Sequence, residues 1–166
     1  MRPPRPARPL VDLMPTTTFL RSCAWVLAQL GLLALIFAAP ALQRGASPRG
    51  VQLLGVFLLV LGGAVGLASV LALGRGTTPS PIPRPNARLI RSGIYAYVRH
   101  PMYTCLMLAS AGWAALWNSP LALAGLVGLI VFLRAKAQFE ECLLLARFSE
   151  YADYAARTPR FLPRIA

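Results

Sequence analysis

Four apolar stretches constrain the fold of this chain more than any motif does: Phe19 to Ala39, Val51 to Leu73, Pro101 to Trp117, and Leu121 to Leu133. A run of about 18 or more apolar residues reads as a membrane-spanning helix, because only a closed pattern of backbone hydrogen bonds survives in hydrocarbon and about 20 helical residues cross about 30 Å. The first two stretches qualify outright, and the last two are short for full spans. With 57% hydrophobic and 13% charged residues the chain is too apolar for a soluble domain, and 166 residues suit one compact unit. The expected fold is all-α: an integral, multi-pass membrane bundle of four transmembrane helices. Asn118-Ser119-Pro120 joins the last two as a tight turn, giving a C-terminal helical hairpin.

Lysine and arginine positions orient such a bundle, because cytoplasmic loops carry the basic excess. Arg2, Arg5, Arg8 and Arg21 precede or begin the first helix; Arg75, Arg84, Arg88, Arg91 and Arg99 fill the second loop; Arg134, Lys136, Arg147, Arg157, Arg160 and Arg164 follow the last apolar stretch. Only Arg44 and Arg49 fall in the first loop, and the third connection has none. Both termini are therefore expected in the cytoplasm, with Arg21 snorkelling toward headgroups. A net charge of +12 would suggest nucleic acid in a soluble protein. Here topology accounts for it, so no nucleic-acid partner is expected. The basic loops should instead face anionic membrane lipids, each residue contributing about 1 kcal/mol near the surface.

Residues 1–17 are rich in proline and arginine, which opposes both helix and core, so a disordered basic N-terminus should precede a single domain over 18–166. Ala39-Pro40-Ala41 has the form of a signal-peptidase site, but the apolar run of about 18 residues after Arg21 exceeds the usual signal-peptide core. Cys23, Cys105 and Cys142 are widely spaced and lie in or beside apolar segments, which suits packing. Without a Cys-x-x-Cys, and with one histidine, no metal centre is expected. Gly62 and Gly66 form a Gly-x-x-x-Gly that permits close helix contact, within the chain or across a dimer.

The loop from Gly74 to His100 is longer than a plain connector, and its alternating prolines, Pro79 to Pro85, favour extended backbone. Leu89, Ile90, Ile94, Tyr95 and Tyr97 should anchor its second half to the membrane surface or the bundle. It ends at His100, directly before Pro101, and proline suits a first helical position because it lacks only an N–H that would be unpaired anyway. The remaining N–H groups of that helix start favour an anion, and Arg99 reinforces them. More plainly, Arg99 obeys the charge rule, Pro101 starts a helix and Tyr103 belongs to an aromatic belt.

A second polar island, Glu140-Glu141, follows Arg134 and Lys136 in a chain with five acidic residues in all. Lys136 and Glu140 are spaced as an i,i+4 pair and Glu141 shares a stripe with Arg134, which alone would contribute about 0.5 kcal/mol. Adjacent acids near an anionic membrane surface are nevertheless costly, and a cationic ligand would offset that cost. Helical periodicity continues through Phe139, Leu143, Leu144 and Phe148, so a helix from Leu121 to Phe148 would run about 42 Å. The glutamates would then lie about 10 Å beyond Arg134, level with Arg99 and His100. Both islands should line one pocket at the cytoplasmic edge of the bundle.

Gly93-Ile94-Tyr95-Ala96-Tyr97-Val98-Arg99-His100-Pro101-Met102-Tyr103, then Glu140-Glu141, then Phe148 with Tyr151 and Tyr154, then Pro159-Arg160-Phe161-Leu162-Pro163 resemble the C-terminal half of the isoprenylcysteine carboxyl methyltransferases and their phospholipid methyltransferase relatives. The resemblance covers about residues 75–164, and the ordered combination is specific. It implies an S-adenosylmethionine pocket open to the cytoplasm and a lipophilic methyl acceptor, lipid-like or prenylated, entering from the bilayer. Ile94 stands where that family often has proline, and Cys105 where a small residue is common, putting a larger group near the expected cofactor. On this resemblance, Arg99 and the helix start at Pro101 would suit the cofactor carboxylate and Glu140 or Glu141 its ammonium. His100 and Tyr103 would bond its polar edges and Tyr97 stack on adenine.

Methyl transfer needs chiefly positioning. A carboxylate acceptor would need no base and Arg134 would orient it, whereas an amine would require Glu141 or His100 to take or relay a proton. Arg134 and Glu141 are thus the candidate catalytic residues. Membrane sterol reductases share a somewhat similar C-terminal architecture with a nicotinamide cofactor, whose phosphates would demand more basic pocket residues. A non-enzymatic membrane scaffold would leave both islands without a ligand.

Overall fold

The computed structural model describes residues 16–74 and 89–163. The basic N-terminal expectation, the proline run Pro79 to Pro85, Arg164 and the side chain of Arg21 lie outside the described residues. Among the described residues five α-helices follow in order: α1 (Thr16–Leu42), α2 (Arg49–Leu73), α3 (Pro101–Leu116), α4 (Pro120–Arg147) and α5 (Tyr151–Arg157), with a 3-10 turn at Gly93–Ala96 before α3. Among the described residues three segments, Ser22–Leu42, Arg49–Leu73 and Pro120–Arg147, are long and apolar enough to cross a membrane. The 16 residues of α3 are apolar but shorter, about 24 Å of helix rise.

The start and stop signals are local. Pro101 opens α3, and Pro120 opens α4 behind Ser119, whose hydroxyl oxygen accepts the Ala122 N–H at 3.2 Å. Between them Asn118 takes φ 44°, a left-handed conformation asparagine tolerates, and the chain reverses. α1 passes through Pro40, with Ala39 buried in the core.

α1 packs out of sequence order, against α4 and α3 rather than mainly against its neighbour α2. The most extensive packing joins α2 to α3; α3 also packs on α4, and α1 packs on α4 and α3. Glycines make the α2–α3 contact possible, since a Cβ on Gly55 would lie 2.8 Å from the Gly112 carbonyl oxygen and one on Gly112 would lie 2.6 Å from that of Gly55. Gly62 and Gly66 face α3 as well, so the Gly-x-x-x-Gly serves packing within the chain. Cys105 is part of this contact: its Sγ occupies the space beside Gly66, 2.8 Å from where a Cβ would be. Its side chain therefore fills part of the helix seam between α2 and α3.

A second seam forms the core, where Ile36 and Ala39 of α1 meet Ala122, Leu129, Leu133 and Ala137 of α4, with Tyr103 and Ala114 of α3 beside them. The outer faces stay apolar, with Leu27, Leu35, Leu53, Phe57 and Leu71 exposed. Helices apolar on every side suit hydrocarbon rather than water. The α1–α2 connection is tied to the hairpin turn by Gly45 N–H to the Trp117 carbonyl (3.3 Å) and Asn118 Nδ2 to the Ala46 carbonyl (2.9 Å). The start of α3 and the distal part of α4 meet at the opposite end of the bundle.

Candidate functional site

α3 starts beside the C-terminal third of α4, and both polar islands converge there. His100 Nε2 lies 3.0 Å from Glu141 Oε1, and His100 Nδ1 lies 3.6 Å from Glu140 Oε2. Each imidazole nitrogen thus faces a carboxylate from one of two adjacent residues 40 or more positions away along the chain. The Tyr103 hydroxyl donates to Glu140 Oε1 at 2.5 Å, and the His100 and Tyr103 rings stack at 5.3 Å between centroids. One helical turn along α3 from its start, the Thr104 hydroxyl donates to the Phe161 carbonyl at 2.6 Å.

The two glutamates are not equivalent. Arg160 grips Glu141 through Nε (3.0 and 3.1 Å) and Nη2 (2.7 Å), Arg99 Nη1 approaches it at 3.3 Å, and His100 completes the set. Forked guanidinium–carboxylate pairing of this kind is strong and directional. Glu141 is a hub that locks three segments together. Glu140 has the Tyr103 hydroxyl as its close donor and keeps an oxygen toward the imidazole.

A backbone clasp supports the hub. Arg99 N–H donates to the Pro159 carbonyl (2.9 Å) and His100 N–H to the Arg160 carbonyl (3.0 Å), so the chain after α5 lies along the entrance to α3. The Phe161 ring then sits 6.0 Å from His100 and 6.4 Å from Tyr103. On the other side the Tyr154 hydroxyl donates to the Tyr95 carbonyl at 2.6 Å, docking α5 on the 3-10 turn. Burial pushes the Tyr95 and Tyr151 hydroxyls above the usual phenol range and Tyr154 up to about 12. The bond to Glu141 raises the Arg160 guanidinium further. Arg99 Nε and the Tyr151 hydroxyl are both buried, and the Arg99 guanidinium lies against that hydroxyl and partly offsets the effect of burial on it.

Of the residues singled out from the sequence, Arg99, His100, Pro101, Tyr103, Glu140 and Glu141 come together. Tyr97 does not join them: its side chain is 68% exposed. Arg134 also stays outside, exposed on α4, while Glu141 two turns later on the same helix edge is buried because Arg160 and the C-terminal segment cover that edge. The helix start is less open to an anion than expected, since the His100 carbonyl already takes the Tyr103 and Thr104 N–H groups and Arg99 is paired with Glu141.

Sequence reasoning passed over two residues here. Arg160 was visible only as part of the Pro-Arg-Phe-Leu-Pro segment. Lys136, read as a surface partner of Glu140, is instead 1% exposed, donates to Gln29 Oε1 at 2.6 Å and sits 5.5 Å above the Tyr103 ring.

Comparison with known proteins bears on this geometry. The chain is 39% identical over 85 residues to the cobalt-zinc-cadmium resistance protein CzcN of Cupriavidus metallidurans, and 36% identical over 85 residues to the nickel-cobalt-cadmium resistance protein NccN of Alcaligenes xylosoxydans xylosoxydans. In each case the match takes in 50% of this chain and 39% of the relative, so the chain spans well under half the length of the relatives it matches. A family model described as phospholipid methyltransferase matches residues 51–150, a stretch that includes His100, Tyr103, Glu140 and Glu141. This chain is a membrane protein that belongs to the phospholipid methyltransferase family.

Proposed function

We propose that the chain transfers the methyl group of S-adenosylmethionine to a lipophilic acceptor that arrives from the bilayer, with the α3–α4 polar cluster holding the cofactor at the cytoplasmic face. One observation carries this reading. The polar islands at His100 and Glu140-Glu141 meet within 3.0 and 3.6 Å inside the region that matches the methyltransferase family.

The donor set fits the cofactor's charges. Its ammonium and sulfonium are cations, and Glu140 is the carboxylate less engaged by cations, paired by one hydroxyl at close range. Its carboxylate is an anion, for which the buried Arg99 guanidinium, the Tyr151 hydroxyl beside it and the helix start at Pro101 are the donors at hand. When bound, S-adenosylmethionine would supply an electrophilic methyl group. The protein's contribution is to hold and orient: Glu141, gripped by Arg160, fixes the His100 imidazole, and Tyr103 fixes Glu140. A nicotinamide dinucleotide is a poorer match, because its several phosphate charges would need more cations than Arg99 and Arg160, both of which also pair with Glu141.

Titration of detergent-solubilised protein tests this. S-adenosylhomocysteine should bind and raise the melting temperature, and NADPH should do neither; the reverse pattern rejects the proposal. Membranes supplied with an isotopically labelled methyl donor should then yield a labelled lipophilic product identifiable by mass spectrometry.

A further inference from the structure

At the end of the bundle opposite the polar cluster, where the α1–α2 connection meets the hairpin turn, lies an open cavity of about 560 Å³. Its walls include Arg44, Ser47, Gln52, Leu116 and Trp117. That volume suits a small ligand or a headgroup. Three consecutive residues of the connection fix the wall by bonding to the end of α3 or the turn after it. The Gly45 N–H donates to the Trp117 carbonyl (3.3 Å), the Ala46 carbonyl accepts from Asn118 Nδ2 (2.9 Å) and the Ser47 hydroxyl donates to the Ala115 carbonyl (3.0 Å). Glycine suits the first of these positions, since a Cβ on Gly45 would lie 3.0 Å from Asn118 Nδ2. Inside this frame the exposed Arg44 guanidinium rests over the Trp117 ring, 5.8 Å from its centroid. The indole Nε1 is buried and has no hydrogen-bond partner among the described residues.

The charges at this end are one-sided. Among the described residues every acid, Glu140, Glu141, Glu150 and Asp153, belongs to α4 beyond its apolar stretch or to the chain after it. Arg44 therefore has no carboxylate at its own end, and the contact of an exposed guanidinium with a ring face is weak. Phosphate oxygens offer the forked, charge-assisted bonds that a guanidinium fits best. We infer that the cavity holds the phosphate of an anionic phospholipid from the leaflet opposite the polar cluster, gripped by Arg44, with the Gln52 amide beside it. The Trp117 N–H is released to the same oxygens as the guanidinium leaves the ring. Leu116 within the cavity and Leu42 and Val51, exposed apolar residues flanking the connection, receive the start of the acyl chains. Space for those chains exists because α1 packs mainly on α4 and α2 on α3. A net anion is preferred to a zwitterion, since no described acid at this end can take an ammonium. Methyl transfer plays no part in the site: about 30 Å of α4 separates Pro120 from Glu140, so this lipid is not the acceptor.

Native mass spectrometry of the full chain in neutral detergent tests this, with phosphatidylglycerol and phosphatidylcholine of matched acyl chains as probes. Phosphatidylglycerol should be retained about tenfold more tightly, and Arg44→Gln should remove that preference. Arg49→Gln takes a cation from the same end but from outside the cavity walls, and should leave most of the preference in place. Phosphatidylglycerol should also raise the melting temperature of the unaltered chain more than that of Arg44→Gln. Gln52→Leu, on a different element, should weaken retention too, and it decides the matter if Arg44→Gln does not fold. Equal retention of the two lipids overturns the inference, as do equal losses in Arg44→Gln and Arg49→Gln, which would mark diffuse attraction to a basic surface. Displacement of phosphatidylglycerol by glycerol 3-phosphate would overturn the lipid assignment, because a soluble phosphate ester would then suffice.

Discussion

Glu140 and Glu141 are chemically identical neighbours with different surroundings, and substitution should separate them. Glu141→Gln leaves Arg99, whose side chain is 13% exposed, without its counter-charge and breaks the fork to Arg160. Removing one member of a buried pair costs about 3 kcal/mol, so the melting temperature in detergent should fall sharply. Glu140→Gln still accepts from Tyr103, so it should melt close to the unaltered chain while S-adenosylhomocysteine affinity drops about tenfold or more, about 1.4 kcal/mol. Equal melting losses would show that the two acids share one structural task. Tyr103→Phe should destabilise by about 1–3 kcal/mol through the lost bond to a charged acceptor, and by less in a Glu140→Gln background. The meeting of His100 with the glutamates was legible in the sequence because a helix rise converts residue number into depth. Arg160 was not, since it follows α5 in irregular backbone where no periodicity predicts a partner. Arg134 and Lys136 exchanged their expected surroundings for a related reason: the helix stripe is set by the sequence, but which edge is covered is decided by α1 and the C-terminal segment.

At the level of elements, α2 and α3 depend on absent side chains. Gly112→Ala would drive a methyl into the Gly55 carbonyl at 2.6 Å, a backbone atom with nowhere to move. The helices must separate, and overpacking of this kind costs about 1–3 kcal/mol, measurable as a lowered melting temperature. Gly66→Ala meets the Cys105 Sγ at 2.8 Å, the end of a side chain that a substitution can remove. Gly66→Ala alone should therefore destabilise, and Gly66→Ala with Cys105→Ala should recover most of the loss. Additive losses in that pair would place the strain elsewhere. Helix ends were legible because proline, serine and asparagine mark them locally. Helix order was not: α1 and α2 are joined by a short loop, yet each packs mainly on a helix more distant in sequence. Only the glycine pattern on α2 hinted at this, through close packing within the chain, and it also allowed a dimer seam.

For the whole molecule, the decisive quantity is the span between the hairpin turn and the polar cluster. From Pro120 to Glu140 the helix rises about 30 Å, the thickness of a hydrocarbon core, so the cluster and the turn should lie at opposite membrane surfaces. The α1–α2 connection is bonded to the turn and must share its side. α3, at about 24 Å, begins level with the cluster and ends at the turn, so a fourth crossing would require the bilayer to thin or flanking residues to snorkel there. By the charge rule the cluster end should face the cytoplasm, since among the described residues Arg99, Arg147, Arg157 and Arg160 crowd that end while Arg44 and Arg49 lie at the other. In a background with Cys23, Cys105 and Cys142 replaced by serine, Ser149→Cys should react with a membrane-impermeant maleimide only from the cytoplasmic side. Ala46→Cys should react only from the opposite side. Labelling of both from one side would mean that α3 and α4 do not cross as a pair, and would remove the membrane-edge placement on which acceptor entry from the bilayer depends.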